Sequence, residues 1–529
     1  MKNLCVCLFA VSLAVSAALA ASGTFAPSAW AQKPPLASIS VETGKLGVQI
    51  PEDFVGISLE VSAAGQGVAP FAKPGAAKQG PAPQLAAPAR VPQYALGRGG
   101  EPNEIFFQFL RNLGPGVLRL GGNSQDNTCW KPASAPHPDW CKGEITTEDF
   151  RLYSQAAKSS GWRLIVGMNL KQNSASWAVD EVKAMAKEIA PEEILGLEIG
   201  NEPDHFARAG RRPESYSPAD LAKDFRAYAE SFQKDPVARK YALVGPAVCS
   251  AWRNANDLAA FLDGVGPSTV KLVTVHAYPR TTCRGNTVTT GELLAPELVS
   301  HFNEAAKTWV AAGRQRNLPV ALAETNSAAC GGMPGVSNSF ASAPWGLDWL
   351  FSAAEDGFSG LNFHIGYRPG GAWYNPVDTY KTEEAGGPRY ENIAEPLYYA
   401  MYAFAKNASG EFLLPATVES ASNIRAYATT ACADCAIHVA VLNKDLAASG
   451  PVLVRVPGHA GAARLLLLRA PKLESLASEV TYGGEQFDRQ ARIAPRPSEE
   501  IRPNSKGEYE FHLPNAAIAF LAIPAANAH

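Results

Sequence analysis

The chain lacks any marked excess of charge. Its 47 Lys and Arg stand against 50 Asp and Glu, a net of -3 over 529 residues. That leaves no electrostatic case for a nucleic-acid partner or for an anionic membrane surface. There is no acidic or basic tail and no internal repeat, which argues against solenoid and array architectures. Beyond the N-terminus no apolar stretch is long enough to span a bilayer, so no membrane contact is expected of the mature form. No group of His, Asp and Cys has the spacing of a metal site, and neither metal nor cofactor is expected. What remains is a globular composition, 46% hydrophobic and 18% charged, on a length that suggests two or three domains. Ten Trp and sixteen Tyr suit sugar-stacking surfaces and ordinary cores alike.

The N-terminus carries the one long apolar run. MKN precedes LCVCLFAVSLAVSAALA, and small residues offer cleavage after Ala20 or after Ala31. Residues 1–31 read as a secretory signal, which implies a secreted or periplasmic protein and an environment that permits disulfides. Of nine Cys, Cys5 and Cys7 would leave with the signal. Cys129 and Cys141 bracket a Pro-rich loop and are read as a pair. Cys432 and Cys435 would close a tight hairpin, and Cys283 and Cys330 each follow a strand end where they could meet. Cys249 is left over as a buried, inert thiol.

From Asp53 to Lys406 strand and helix patterns alternate. Strands are expected at 54–61, 116–122, 163–170, 194–200, 241–248, 271–278, 319–324 and 360–366. Amphipathic stretches such as TEDFRLYSQAAKSSG and DLAKDFRAYAESFQK lie between them. Eight strands alternating with helices imply an α/β fold, a (β/α)8 TIM barrel over 52–406. Residues 63–100, rich in Ala, Pro, Gly and Gln, read as a long loop after the first strand. After Asn407 short alternating runs separated by Gly, Pro and Asn imply an all-β sandwich over 407–529. The segment 32–51, with ASISVETGKLGVQI, reads as a strand joining that sandwich.

The stretch ILGLEIGNEPD ends an apolar strand on Asn201 and Glu202, locked by Pro203. The strand count places Glu202 at the end of the fourth strand and Glu324 (AETN) at the end of the seventh. Both belong on the C-terminal rim, where barrel active sites lie. Paired carboxylates across a cleft suit glycoside hydrolysis. One is protonated and gives its proton to the departing oxygen; the other is ionised and attacks the anomeric carbon. Glu202 is expected to have the raised pKa, through burial and the charge of Glu324. No spacing in the sequence tells retention from inversion.

Asn-Glu-Pro after strand four and Glu ending strand seven resemble clan A of the glycoside hydrolases, whose members retain configuration. FVGISLEVS, VLRLGGNSQD, EIGNEPD, VHAYP, AETNSAACGGMPGVSNSFASAPWGLDWL and GLNFHIG resemble family 79 within it, the β-glucuronidase and heparanase group. That resemblance implies a β-glucuronidase acting on a terminal glucuronic acid or its 4-O-methyl form, with a carbohydrate as its partner. It makes Glu202 the acid/base and Glu324 the nucleophile, with Asn201 on the sugar 2-OH. Glu60, Asn123, Tyr278 and His364 match positions that line the cleft. In heparanase-like members a Tyr and paired glycines follow the nucleophile and hold the uronate carboxylate. Here the run is Ala328-Ala329-Cys330-Gly331-Gly332. The Tyr is absent, Gly331 and Gly332 could present their amides, and Cys330 with Cys283 resembles the fungal-type branch. Tyr367 or Tyr374 could supply a phenol instead, and Arg368 could pair with a carboxylate. The rival readings are another clan A activity (β-glucosidase, β-xylosidase or arabinofuranosidase) and a glycan-binding barrel without catalysis.

Overall fold

The structure is a computed structural model. Within 34–525 it describes all residues but 65–88, 91–94, 99–100, 131–139, 142, 250–251, 253, 367–371, 385–386 and 498. The expected signal at 1–31, most of the 63–100 loop, Tyr367 and Arg368 therefore lie outside the described residues.

Eight parallel strands close into a barrel in chain order. They are β1 (Val55–Glu60), β2 (Val117–Gly121), β3 (Arg163–Met168), β4 (Ile194–Ile199), β5 (Leu243–Val248), β6 (Val270–Ala277), β7 (Val320–Thr325) and β8 (Leu361–Ile365). A long helix follows each. These are α1 (Glu104–Asn112), α2 (Thr147–Ser160), α3 (Ala175–Met185), α4 (Pro218–Lys234), α5 (Ala255–Val265), α6 (Pro296–Arg314), α7 (Ser342–Asp356) and α8 (Pro396–Asn407). The local sequence starts and stops them. Thr146 and Asp149 form a capping box on α2, and Gly161 at φ 76° ends it. Ser217 and Asp220 do the same for α4, with Pro218 at its first position.

The strands are buried on both faces, as helices on one side and barrel contents on the other require. Val117, Ile165, Val244, Leu272 and Ala321 form one apolar cluster contributed by five strands. Further along β2 the inward position after Val117 is Arg119, which is fully buried. The interior thus changes from apolar to charged along the strand direction, and the charged end is the C-terminal rim.

Two further sheets pack into a sandwich with its own core, which includes Ile39, Val439, Val454, Phe511 and Leu521. Ala37–Val41 lies in the smaller sheet, antiparallel to Ala416–Glu419 and parallel to Gly450–Arg455. One element has no counterpart in the sequence reading. Val377–Glu384 and Gly387–Ala394 form an antiparallel pair between β8 and α8. Barrel and sandwich are joined by a buried charge cluster. Asp348 of α7 meets Lys444 Nζ at 2.5 Å and Arg425 Nε at 3.3 Å.

Candidate active site

β4 ends at Ile199, and three residues then turn the chain across the barrel mouth. Gly200 takes φ 82°, a conformation open to glycine, and a Cβ there would meet Leu170 at 2.8 Å. Glu202 itself sits in the left-handed region, φ 47° and ψ 51°, ahead of the short helical turn Pro203–His205. Its amide donates to Ala247 O at 2.9 Å, at the end of β5. A non-glycine residue keeps that conformation only where its surroundings impose it. Here the proline and the β5 contact do so, and they aim the carboxylate inward.

Glu324 is the fifth residue of β7 and is 3% exposed. Its Oε1 accepts from the Tyr278 hydroxyl at 2.8 Å, and its Oε2 accepts from Arg119 Nη1 at 2.7 Å. Single ligating atoms of Glu202, His276 and Glu324 all lie within 4.8 Å of one another. The two carboxylates therefore face each other in one cavity of about 1600 Å³. Those three groups could also share a cation, but the Arg119 guanidinium already supplies a positive charge against Glu324.

Arg119 organises the floor. Besides Glu324 it donates to Glu198 Oε2 at 2.6 Å, Ser58 Oγ at 3.0 Å and Asn201 Oδ1 at 2.8 Å. Burial works against its charge, but Glu198 and Glu324 more than reverse that and hold the proton firmly. With its oxygen on Arg119, Asn201 has a buried Nδ2 that finds no acceptor among the described residues.

Glu60, at the end of β1, accepts from the amides of Asn123 and Ser124 at 3.1 and 2.8 Å and from the Ser124 hydroxyl at 2.5 Å. Asn123 is exposed in the cavity wall. His364 of β8 is buried, with Nδ1 3.0 Å from Ser58 Oγ and Nε2 3.7 Å from Glu60 Oε1. Tyr374 lines the same cavity, its ring 6.3 Å from that of Tyr278 and 6.2 Å from that of His364. Cys330, Gly331 and Gly332 run at φ 68°, 93° and 77°. The Gly332 amide is committed to Ala328 O at 3.1 Å, so the expected pair of offered amides is corrected. Of the two glycines, Gly331 reaches the cavity wall, beside Cys330 and Ala329.

All three expected disulfides are present: Cys129–Cys141, Cys283–Cys330 and Cys432–Cys435. The second ties the loop after β6 to the loop after β7 beside the cavity. Cys249 is a free thiol in the cavity wall. Burial and the nearby Glu202 charge push its proton affinity well up.

The expected electrostatics of Glu202 are reversed. Burial pushes its carboxyl up, but hydrogen bonds and positive charge from His205 and His276 hold it below the usual carboxylate range. Glu324 is also lowered: burial raises it, and His364, His276 and Arg119 together outweigh burial and the Glu202 charge. Burial and Glu324 push the Tyr278 phenol well up.

Four participants were missed by sequence reasoning: Arg119, Glu198, His205 and His276. His276 lies two residues before Tyr278, and strand alternation puts both on one face. That signal was available. Arg119 and Glu198 interrupt apolar strands singly, and nothing local distinguishes such a residue from one facing solvent.

No family model matches the chain. A β-glucuronidase of Neurospora crassa is 26% identical over 353 residues, covering 58% of this chain and 61% of that protein. A β-glucuronidase of Aspergillus niger is 26% identical over 329 residues, 55% and 59% of the two chains. A heparanase of Gallus gallus is 27% identical over 241 residues, 44% of each. The chain is related to the β-glucuronidases and heparanases of glycoside hydrolase family 79. The match spans about half to three fifths of these relatives' lengths. Among solved structures, the 4-O-α-L-rhamnosyl-β-D-glucuronidase of Fusarium oxysporum superposes with a TM-score of 0.66 at 17% identity, covering 92% of this chain and all of that one. The family 51 arabinofuranosidase of Xanthomonas axonopodis pv. citri gives 0.64 at 14% identity. These share this chain's fold, a TIM barrel with additional sheets.

Proposed function

We propose that the protein is a retaining β-glycosidase whose leading substrate is a terminal β-glucuronide, and that it works in an exported compartment. The observation that carries the mechanism is the approach of Glu202 and Glu324 within 4.8 Å across one cavity. Retaining enzymes hold their carboxyls about 5–5.5 Å apart, whereas inverting enzymes need about 6.5–9.5 Å to admit a water. Glu324, kept ionised by the charges of His364, His276 and Arg119, attacks the anomeric carbon. Glu202 gives a proton to the departing oxygen as the bond breaks, and a glycosyl ester forms on Glu324. Glu202 then takes a proton from water, whose oxygen displaces the ester. Asn201 Nδ2 is placed to donate to a sugar hydroxyl beside the reacting carbon. Exported location is supported by three disulfides and by the apolar N-terminal sequence. No helix of the described residues is long and apolar enough to cross a membrane.

The glucuronide is favoured by the β-glucuronidases of Neurospora crassa and Aspergillus niger among the chain's relatives. A second glycone is favoured by one specific feature, the missing Tyr in the run 328–332. A panel of p-nitrophenyl β-glycosides decides between them. Hydrolysis of the glucuronide supports the proposal; hydrolysis of the glucoside, xyloside or arabinofuranoside with none of the glucuronide would overturn the uronate assignment. Glu324→Ala with azide should give an inverted glycosyl azide, and Glu202→Ala with azide a retained one. Swapped outcomes would reverse the roles.

A further inference from the structure

Glu202 has an imidazole on each oxygen, and the two imidazoles differ. His276 comes from β6, is fully buried, and places Nδ1 3.3 Å from Oε1. His205 comes from the turn that Glu202 itself begins. Its Nδ1 lies 3.3 Å from Oε2 and its Nε2 3.7 Å from Asp204 Oδ2. The Asp204 side chain is buried, and its Oδ1 accepts the Cys249 amide at 3.1 Å. The result is a row of carboxylate, imidazole and carboxylate. His205 keeps 21% of its side chain exposed and forms part of the cavity wall. It is the most exposed member of the row, ahead of Glu202 at 12% and the buried Asp204.

We propose that His205 is a positioning residue that shares with Glu202 the single proton given to the leaving group, so that an imidazole and not a carboxyl sets the alkaline edge of activity. This rests on the reading of Glu202 as acid/base. With one proton on the pair, it sits either on His205 Nδ1 beside an ionised Glu202, or on Glu202 Oε2 beside a neutral His205. The second form is the acid. Its proton passes to the leaving oxygen as the glycosidic C–O bond breaks, which leaves Glu202 ionised and His205 neutral. The attacking water returns one proton to Glu202 as its oxygen bonds to the anomeric carbon. One proton leaves the pair and one comes back, and no other reactant is needed.

The charges around His205 favour keeping that proton. Burial opposes the imidazolium, but the bond to Glu202 and the charges of Asp204 and Glu202 outweigh burial and the repulsion of Arg208. The imidazole is held above its ordinary value. The remaining groups that face the pair are the Cys249 thiol after β5, His276 and Tyr278 from the β6 side, and Glu324 behind Glu202. A pair that exchanges a proton titrates as a unit, so its upper macroscopic step is the one an activity profile reads.

The test is kcat/KM against pH for wild type, His205→Gln and His205→Asn, on whichever p-nitrophenyl glycoside of the panel is hydrolysed and on its 2,4-dinitrophenyl counterpart. For the p-nitrophenyl substrate the alkaline limb should fall by about one pH unit or more in both variants, because the imidazole on Oε2 that shares the proton is gone while His276 on Oε1 is untouched. The dinitrophenolate departs without a proton, so its kcat/KM should change less than about threefold. An alkaline limb that stays in place, or equal losses on both substrates, would show a merely structural histidine and overturn the proposal. Glu202→Gln measured in parallel separates the two failures. If it keeps the wild-type rate and limb, the acid/base reading itself is wrong. If it abolishes the p-nitrophenyl reaction while the limb ignores His205, only the present inference falls.

Discussion

Arg119 Nη1 lies 2.7 Å from Glu324 Oε2, with the arginine side chain wholly shut from solvent and the glutamate nearly so. The same guanidinium holds Glu198 at 2.6 Å. One cation thus serves two buried carboxylates, and its removal strands both. Truncating one partner of a buried ion pair costs about 3–5 kcal/mol. Arg119→Met should lower the urea-derived stability by that order. It should also raise the acid limb of kcat/KM, because the Arg119 charge depresses Glu324. Unchanged stability and an unchanged acid limb would contradict the arrangement.

The Tyr278 hydroxyl donates to Glu324 Oε1 at 2.8 Å. In the proposed mechanism this bond orients Glu324 and leaves a lone pair of that carboxylate to the substrate. Tyr278→Phe deletes one oxygen and should lower kcat by about 10–100-fold, with KM changed far less. Near-UV circular dichroism checks that the fold persists. A variant with wild-type kcat would exclude the phenol from the reaction.

Asp348 ties barrel to sandwich through Lys444, Arg425 and the Tyr427 hydroxyl. Burial pushes its carboxyl up, but Lys444 and Arg425 bring it below the ordinary value. A carboxyl depressed in the folded state contributes stability at pH above its unfolded value, near 4, and loses it as pH falls through the folded value. Asp348→Ala should therefore destabilise by about 3–5 kcal/mol at pH 7. The loss should shrink toward pH 3 in denaturant titrations. A loss independent of pH would mean that packing, not charge, joins the two parts.

Glu181 of α3 is the opposite case. It is fully buried and Oε1 has no partner among the described residues. Burial pushes it up to about 8. The folded state then holds a proton that the unfolded chain releases near pH 4.3, so stability falls as pH rises between those values, by up to about 1.4 kcal/mol per pH unit. Glu181→Gln should flatten the stability profile between pH 6 and 8 and raise the melting temperature at pH 8. An unchanged slope would show that Glu181 does not titrate in that range.

How far the sequence could be read depended on whether a residue's neighbours in the chain were also its neighbours in space. Eight strands, their helices and the β-rich end follow from local period and from turn residues, and the structure places strands across all eight expected ranges. Glu202 and Glu324 were readable because strand ends are marked by Gly and Pro. The hairpin at 377–394 was missed because it interrupts a β8-to-α8 connection whose composition resembles a loop. Glu202's electrostatics were misjudged because the two imidazoles that lower it belong to a turn and to β6, and the sequence does not show which carboxylate they face.

By itself, then, the sequence determined the barrel with its sandwich and put two carboxylates on one rim, because hydrophobic periodicity and backbone punctuation are local properties. Only the tertiary structure decided the charge state of that rim. Arg119, His205 and His276 act on Glu202 and Glu324 through distances of 2.7–3.9 Å, and closure of the barrel sets those distances. Among largely buried side chains such contacts outweigh the intrinsic proton affinity of any single group.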